Sequence, residues 1–469
     1  MRIAIIGAGL AGLTAAYEIH KLNKDAGVEV FEAADRIGGK LYTVPFASGP
    51  TDMGAEAYLA FRQDATDFFT ELGLGEHLNA PSGLPSLLYA GGALHPMPAG
   101  TAMGIPGSSE GLEGLISKET LARIDAEADA EPIEWGEGDV SLGGLVRERY
   151  GDDVVDRVVS ALQGGVYSAS SDDLGIRATL PELARTLDAM KAEGEKLTLS
   201  GAVRRILDQR AARNAARAEK VPGYKPQVFA AFTGGYAELY EALAEQSGAA
   251  IHIDAFISGV SRAKGGYQLK GADGVFDKVL FATPAPTTAM LIKDILPAAV
   301  APLKTIKLAS SVVVGMKFDS GEGLPNNSGI LVAIDEPGVH AKAFTFSSKK
   351  WPHLGARGGA LVRASFGRFG DDAITRADED DLVDYALDDL QAITGFDGRA
   401  AGLSEIYVQR WFGGLPVYGP QHLAAVSEIR SLLSDAQSVD VAGAWVDGVG
   451  VPAIIADARK AAARLARGA

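Results

Sequence analysis

A chain of 469 residues, 47% of them hydrophobic, is long enough for two or three domains around a large core. Acidic residues number 60 against 44 basic ones, a net charge of −16, and no basic stripe stands out; nucleic-acid binding is excluded as a main role and adsorption to anionic lipid is disfavoured. The chain has no cysteine, which excludes disulfides, thiolate metal sites, a cysteine nucleophile and a cofactor tethered through cysteine.

The predicted elements begin at once. Met1–Ile6 is a short apolar run, and Gly7-Ala8-Gly9-Leu10-Ala11-Gly12 follows it directly. A helix-compatible stretch then runs to His20, and Val28-Glu29-Val30-Phe31 reads as a second strand ending at Glu32. Strand, glycine turn, helix, strand and acid form the dinucleotide-binding fingerprint in its full context. Gly7 permits the tight turn, Gly9 lets backbone approach a pyrophosphate, and Gly12 lets the helix pack close to the strand. The helix start offers free N–H groups to phosphate, and Glu32 offers a carboxylate to a ribose diol. Because Ile3 already belongs to the first strand, no leader is expected. No apolar run reaches the length of a membrane span, so a cytoplasmic protein is expected.

A second glycine pair, Arg36-x-Gly38-Gly39, follows the acid and predicts another close approach of backbone to cofactor. Gln63–Leu72 reads as an amphipathic helix, and Tyr89–Pro106 as irregular chain with a turn at Gly91-Gly92. Residues 108–210 read as mostly helical, with a helix at Val146–Leu162 and punctuation at Pro181 and Gly201. Leu207–Arg217 is a basic helix ending near Pro222-Gly223, read as a solvated surface excursion. Further on, Ala237–Gln246 is a helix, and Ile251–Val260, Tyr267–Leu269, Val279–Ala282, Val312–Phe318 and Ala360–Phe366 are strands. Asp378–Ile393 is an acidic amphipathic helix, Val439–Gly443 a last buried strand and Pro452–Arg467 a last helix. A glycine turn at Gly448-Val449-Gly450-Val451 precedes that helix and presents a second helix start to a ligand. The amino- and carboxy-terminal pieces are expected to complete one parallel sheet.

These motifs together resemble the flavin-dependent amine oxidase and porphyrinogen oxidase superfamily along nearly the whole chain. Leu94-His95-Pro96-Met97-Pro98 with Met103-Gly104-Ile105-Pro106 is similar to a segment of the porphyrinogen oxidases of Gram-positive bacteria. Lys349-Lys350-Trp351-Pro352-His353, Arg363-Ala364-Ser365-Phe366-Gly367, Arg410-Trp411, Leu415-Pro416-x-Tyr418 and the late glycine turn resemble others. Within that group the likeness is to the coproporphyrin-forming, oxygen-dependent oxidases, close kin of those acting on protoporphyrinogen IX. Relatives often carry Arg-Gly-Pro-Asp where this chain has Met53-Gly54-Ala55-Glu56.

The resemblance implies an α/β fold. A Rossmann-like FAD-binding domain would be assembled from 1–75, 228–290 and 430–469, a mixed α+β substrate domain from 76–107 and 291–429, and a helical insert from 108–227. It implies non-covalent FAD, a porphyrinogen substrate, molecular oxygen, product hand-off to a ferrochelatase, and membrane association that is at most peripheral, on the inner face. The flavin contacts it implies are Gly7, Ala8, Gly9, Leu10, Ala11, Gly12, Glu32, Ala33, Arg36, Gly38, Gly39, Lys40, Gly54, Ala55, Glu56, Ala57, Trp411, Ala444, Val449, Gly450 and Val451. To these it adds Ile257, through its backbone. Lys40, Arg177, Lys349, Lys350, Arg363 and Arg410 are candidates to collect substrate carboxylates, with Trp351 to stack on a pyrrole and His95 as a proton relay. No catalytic residue and no metal site is assigned. The alternatives are oxidation of protoporphyrinogen IX and then an amine oxidase, for which Trp411 and Tyr418 suit a cage around an ammonium group.

Overall fold

Five strands from distant parts of the chain form one parallel sheet in the computed structural model, which describes residues 1–220, 227–434, 436 and 438–467. Their order is Ala250–His252, Gly27–Phe31, Arg2–Ile6, Lys278–Phe281, Val439–Val441. The first strand is thus central, flanked by a partner close in sequence and another more than 270 residues away. Successive side chains enter opposite faces, which is why most positions of these strands are apolar. Ile3, Ile5, Val28, Val30 and Leu280 pack into a core with the helices Leu10–Leu22 and Val451–Ala466. Ala4, Ile6, Phe31, Val279, Phe281 and Val441 enter a second core on the other face. A sheet covered on both faces leaves solvated side chains only at strand ends and on the edge side, such as Arg2 and His252.

A second, seven-stranded sheet runs Leu403–Pro416, Leu308–Phe318, Ala360–Phe366, Ala343–Thr345, Gly329–Val332, Ser86–Ala90, Ala93–Pro96. It is antiparallel except where Gly329–Val332 pairs with Ser86–Ala90. The strands of the parallel sheet lie within 2–31, 250–281 and 439–441, and those of the mixed sheet within 86–96 and 308–416. The hairpin at its edge lies where irregular chain was expected. Gly91 and Gly92 both take positive φ, 61° and 74°, which a two-residue hairpin turn between twisted strands requires.

The helical insert has its own core, including Ile124, Trp135, Val146, Leu187 and Ile206. The helix expected over Val146–Leu162 is interrupted. Gly151, at φ 101°, ends Leu142–Tyr150, and a π-helical turn at Val155–Val159 leads into Ser160–Tyr167. Gly201 breaks nothing; it lies inside the 22-residue helix Leu199–Lys220. That helix is solvated on its basic side, with Arg205 paired to Glu193 and Arg210 to Glu182. Pro222 and Gly223 lie outside the described residues. The strand expected over Ile251–Val260 is two, Ala250–His252 and Gly259–Ala263. Between them Asp254, at φ 52°, turns the chain back so that the Asp254 and Ala255 N–H groups bond to Ala34 O and Glu32 O.

Candidate active site

The two glycine motifs of the amino-terminal segment meet. Gly7 takes φ 107°, and a Cβ there would lie 2.6 Å from Ala282 O. A Cβ on Gly12 would lie 1.9 Å from Gly7 O, so the helix rests on the turn itself. Gly9 differs, since its Cβ would touch only Gly39 Cα, at 3.7 Å. Gly38 N–H donates to Ala8 O at 2.9 Å, and a Cβ on Gly39 would lie 2.9 Å from Gly9 Cα. Glu32 closes the group: its carboxylate accepts from Ala8 N–H at 2.8 Å and from Ala34 N–H at 2.9 Å. Ala33, beside it, is exposed.

The helix that starts at Leu10 has no side-chain cap at Gly9 and no acid in its first turn, yet Leu10, Ala11 and Gly12 are buried. A buried, uncapped helix start with a positive dipole end fits an anionic group. The helix Val451–Ala466 starts in the same way at Gly450, again without a side-chain cap or an acid. Gly448, at φ 132°, sharpens the turn before it. Tyr418 Oη donates to Ala444 O at 2.6 Å and anchors the preceding loop. Val449 packs in a small cluster with Tyr167, Phe369 and Tyr418. Ile257 is buried on the far side of the parallel sheet, among Val260 and Leu269.

A third segment joins the two sheets. A Cβ on Gly54 would lie 2.0 Å from Lys40 O and 3.3 Å from the Trp411 ring. Trp411 Nε1 donates to Met53 O at 2.9 Å. Arg36 donates to Gly39 O at 2.8 Å and lies 3.9 Å from the centre of the Tyr42 ring. Ala55 packs against the core beneath the parallel sheet, and Ala57 against that of Val44 and Trp351. Lys40 is half-buried with no ion-pair partner among the described residues, and burial pushes its ammonium down to about 8.

Glu56 sits at the centre of a charged cluster. It accepts from Ser347 Oγ at 2.5 Å and pairs with Lys350 at 3.2 Å and Arg363 at 3.5 Å. Arg363 also donates to Gly54 O at 2.7 Å. Burial alone would raise the Glu56 carboxyl, but Lys350 and Arg363 outweigh it and hold the group at about 2.

This arrangement changes the standing of most sequence-derived substrate candidates. Lys350 and Arg363 share the single carboxylate of Glu56, which both of them hold in place. Arg177 pairs with Asp188 at 2.8 Å over the Trp135 ring, inside the insert. Arg410 donates to Thr375 O and Ala377 O, both at 2.8 Å. His95 Nε2 lies 3.1 Å from Ala90 O within its hairpin. Trp351 is fully buried against Met53 and Leu354, so it has no face to stack on a substrate. Lys40 and Lys349 alone of the six proposed cations have no ion-pair or capping role among the described residues. Two cations that the sequence did not single out, buried Lys342 and half-buried Arg368, have no ion pair among the described residues.

A family model described as flavin containing amine oxidoreductase matches residues 10–466. The chain belongs to the flavin-containing amine oxidoreductase family. It is an FAD-dependent oxidoreductase, and the glycine cradle, both buried helix starts and Glu32 suit such a dinucleotide. Among its relatives, coproporphyrinogen III oxidase of Mycobacterium tuberculosis is 38% identical over 97% of this chain and 95% of that protein. Coproporphyrinogen III oxidase of Bacillus subtilis is 29% identical over 98% of this chain and 96% of that one. A crystal structure of a candidate protoporphyrinogen oxidase from Exiguobacterium sp. 255-15 superposes with TM-score 0.84 at 26% identity, covering 99% of this chain and 98% of that one.

Proposed function

We propose that this chain oxidises coproporphyrinogen III to coproporphyrin III, with oxygen as the electron acceptor, in haem biosynthesis. The observation that carries the reading is end-to-end similarity, 38% over 97% of the chain, to a protein of that name. Bound FAD supplies a two-electron acceptor. Six electrons and six hydrogens leave the substrate in three turns, and three oxygen molecules become three molecules of hydrogen peroxide. Electron-rich pyrroles stabilise the cation left when hydride departs from a bridge carbon, so the protein needs no strong base. Its share is binding and orientation. The N–H groups at Leu10–Gly12 would hold the phosphates of FAD, the helix start at Val451 would meet its other end, and Glu32 would accept from its ribose. Lys40, Arg36, Gly54 and Trp411 would line the cofactor between them.

The same reading passes the product to a metal-inserting chelatase. Among the described residues no helix is long and apolar enough to cross a membrane, and any association with one is peripheral in this reading. The test is porphyrin fluorescence from purified, FAD-loaded protein given coproporphyrinogen III and protoporphyrinogen IX in parallel, in air. Faster coproporphyrin formation is expected. Faster protoporphyrin formation transfers the assignment to that substrate, and neither product with flavin bound favours an amine substrate.

A further inference from the structure

A buried lysine and a half-buried arginine lie together between the helical insert and the mixed sheet. Lys342 is 4% exposed, and its Nζ donates to Ser168 Oγ at 2.6 Å and to Gly367 O at 2.7 Å. Arg368, the next residue after Gly367, donates to Val332 O at 3.3 Å, while its Nε is buried with no hydrogen-bond partner. No carboxylate of the described residues lies within ion-pair distance of either. Ser168 holds its place in the left-handed conformation, φ 51°, at the end of the helix Ser160–Tyr167. That same helix approaches Arg368: a Cβ on Gly164 would lie 3.4 Å from its Nε. The helix also carries Gln163, fully buried with neither amide atom partnered.

Such a group is costly as it stands. A buried cation without a counter-charge is unfavourable, two together repel, and a buried primary amide with no partner adds its own desolvation penalty. Burial first, and then the neighbouring Arg368, push the Lys342 ammonium down to about 7. Burial likewise pulls the Arg368 guanidinium down, and Asp371, too far for an ion pair, offsets this only in part. One carboxylate placed among them would give both cations a counter-charge and accept from the guanidinium Nε and the Gln163 amide NH2. The cluster also adjoins the late glycine turn. Phe369, next to Arg368, packs with Tyr167 and Val449, and its N–H donates to Ser168 O at 2.6 Å.

We propose that Lys342, Arg368 and Gln163 form a subsite for one carboxylate arm of the porphyrinogen. The proposal rests on the functional reading above and deepens it, because it names how this chain of net charge −16 collects an anionic substrate.

The test uses the full, FAD-loaded chain. KM and kcat for coproporphyrinogen III, and the affinity for coproporphyrin III by fluorescence titration, are measured for wild type, Lys342→Met, Arg368→Met, Arg368→Lys and Gln163→Glu. Each methionine variant should raise KM and weaken porphyrin binding about tenfold or more, because a charge-assisted contact is lost. Flavin content and kcat should change little, and Arg368→Lys should recover part of the affinity. Gln163→Glu is nearly isosteric and gives the cations a carboxylate of their own. It should raise the melting temperature and raise KM in the same way, which keeps the proposal falsifiable if the methionine variants do not fold. Folded variants with wild-type KM and wild-type porphyrin affinity overturn the subsite, and so does a Gln163→Glu chain with wild-type KM. If the wild type oxidises neither porphyrinogen, the functional reading falls and takes the subsite with it; an active wild type beside unaffected variants sinks the subsite alone.

Discussion

Gly9→Ala separates cofactor binding from folding. Gly9 has φ −76° and ψ −176°, a conformation alanine adopts readily. Its new Cβ would touch only Gly39 Cα, at the ordinary distance of 3.7 Å. The apoprotein should therefore fold normally, and loss of a glycine's freedom in the unfolded chain should add about 0.4–1 kcal/mol of stability. The methyl group instead occupies the side of the turn left open beside an uncapped helix start. Losing one or two charge-assisted contacts there, each worth about 1.5–3 kcal/mol, should weaken FAD binding by roughly 10- to 10⁴-fold. Gly12→Ala is the contrasting case. Its Cβ would lie 1.9 Å from Gly7 O, backbone that has no room to yield, so the apoprotein itself should lose several kcal/mol, on the order of an overpacked core site or more. The assay is a pair of measurements on each apoprotein: melting temperature without FAD, and an FAD titration followed by flavin fluorescence. A Gly9→Ala chain that binds FAD as tightly as the wild type refutes the assignment of this turn to the cofactor. A Gly9→Ala apoprotein that melts as low as Gly12→Ala refutes the packing argument.

Glu56→Gln should destabilise the protein at neutral pH by about 3–5 kcal/mol, since it leaves Lys350 and Arg363 buried without a counter-charge; urea unfolding at pH 7 measures it. Because the folded Glu56 carboxyl is held near 2, below its unfolded value, its contribution is present above about pH 4.5 and is lost as pH falls towards 2. The wild-type advantage over Glu56→Gln should therefore shrink across that range. Asp52 has the opposite sign. Burial pushes its carboxyl up to about 7 despite hydrogen bonds from Thr43 and from Tyr236 N–H, so the folded state favours the protonated acid. Stability should fall as pH rises from about 4 to 7, and Asp52→Asn, compared by melting temperature at pH 5 and pH 8, should remove that part of the slope. Arg177→Ala should lower stability by about 1 kcal/mol, through loss of the Asp188 pair and the Trp135 contact, while kcat/KM for coproporphyrinogen III stays at the wild-type value.

The dinucleotide-binding start was legible because everything it needs is local. A strand, a turn and a helix within 22 residues dictate where glycines must stand, and a wrong residue there collides with backbone a few positions away. The sheet assembled from distant segments was legible for a related reason. Strands buried on both faces are mostly apolar; Val279–Ala282 is such a run, and so is Val439–Gly443 but for Asp440, which Arg430 and Arg464 meet. Where the expectations missed, a backbone torsion or a bond back to another segment had intervened. Gly151 can end a helix or sit within one, and only its φ of 101° decides. Ile251–Val260 has strand composition throughout, but the bonds from Asp254 and Ala255 to the Glu32 segment pull its middle away from the sheet.

The charged residues show a different limit. A motif can place a cation near a cofactor, but its availability depends on a partner chosen by the fold. Lys350 and Glu56 are 294 positions apart, and nothing in either segment announces the pair. Their pairing turns two apparent substrate cations, Lys350 and Arg363, into supports for the Gly54 turn. Lys342 gave the converse signal unnoticed. It is a lysine entering an apolar strand with no acid at helical or cross-strand spacing to meet it, and an unpaired charge is tolerated in such a place only where something compensates it. Positive charge alone is weak evidence for an anion site in a chain with 44 basic residues. Burial without a partner is stronger evidence, because the folded chain gives up stability to keep it and a ligand's carboxylate restores the balance.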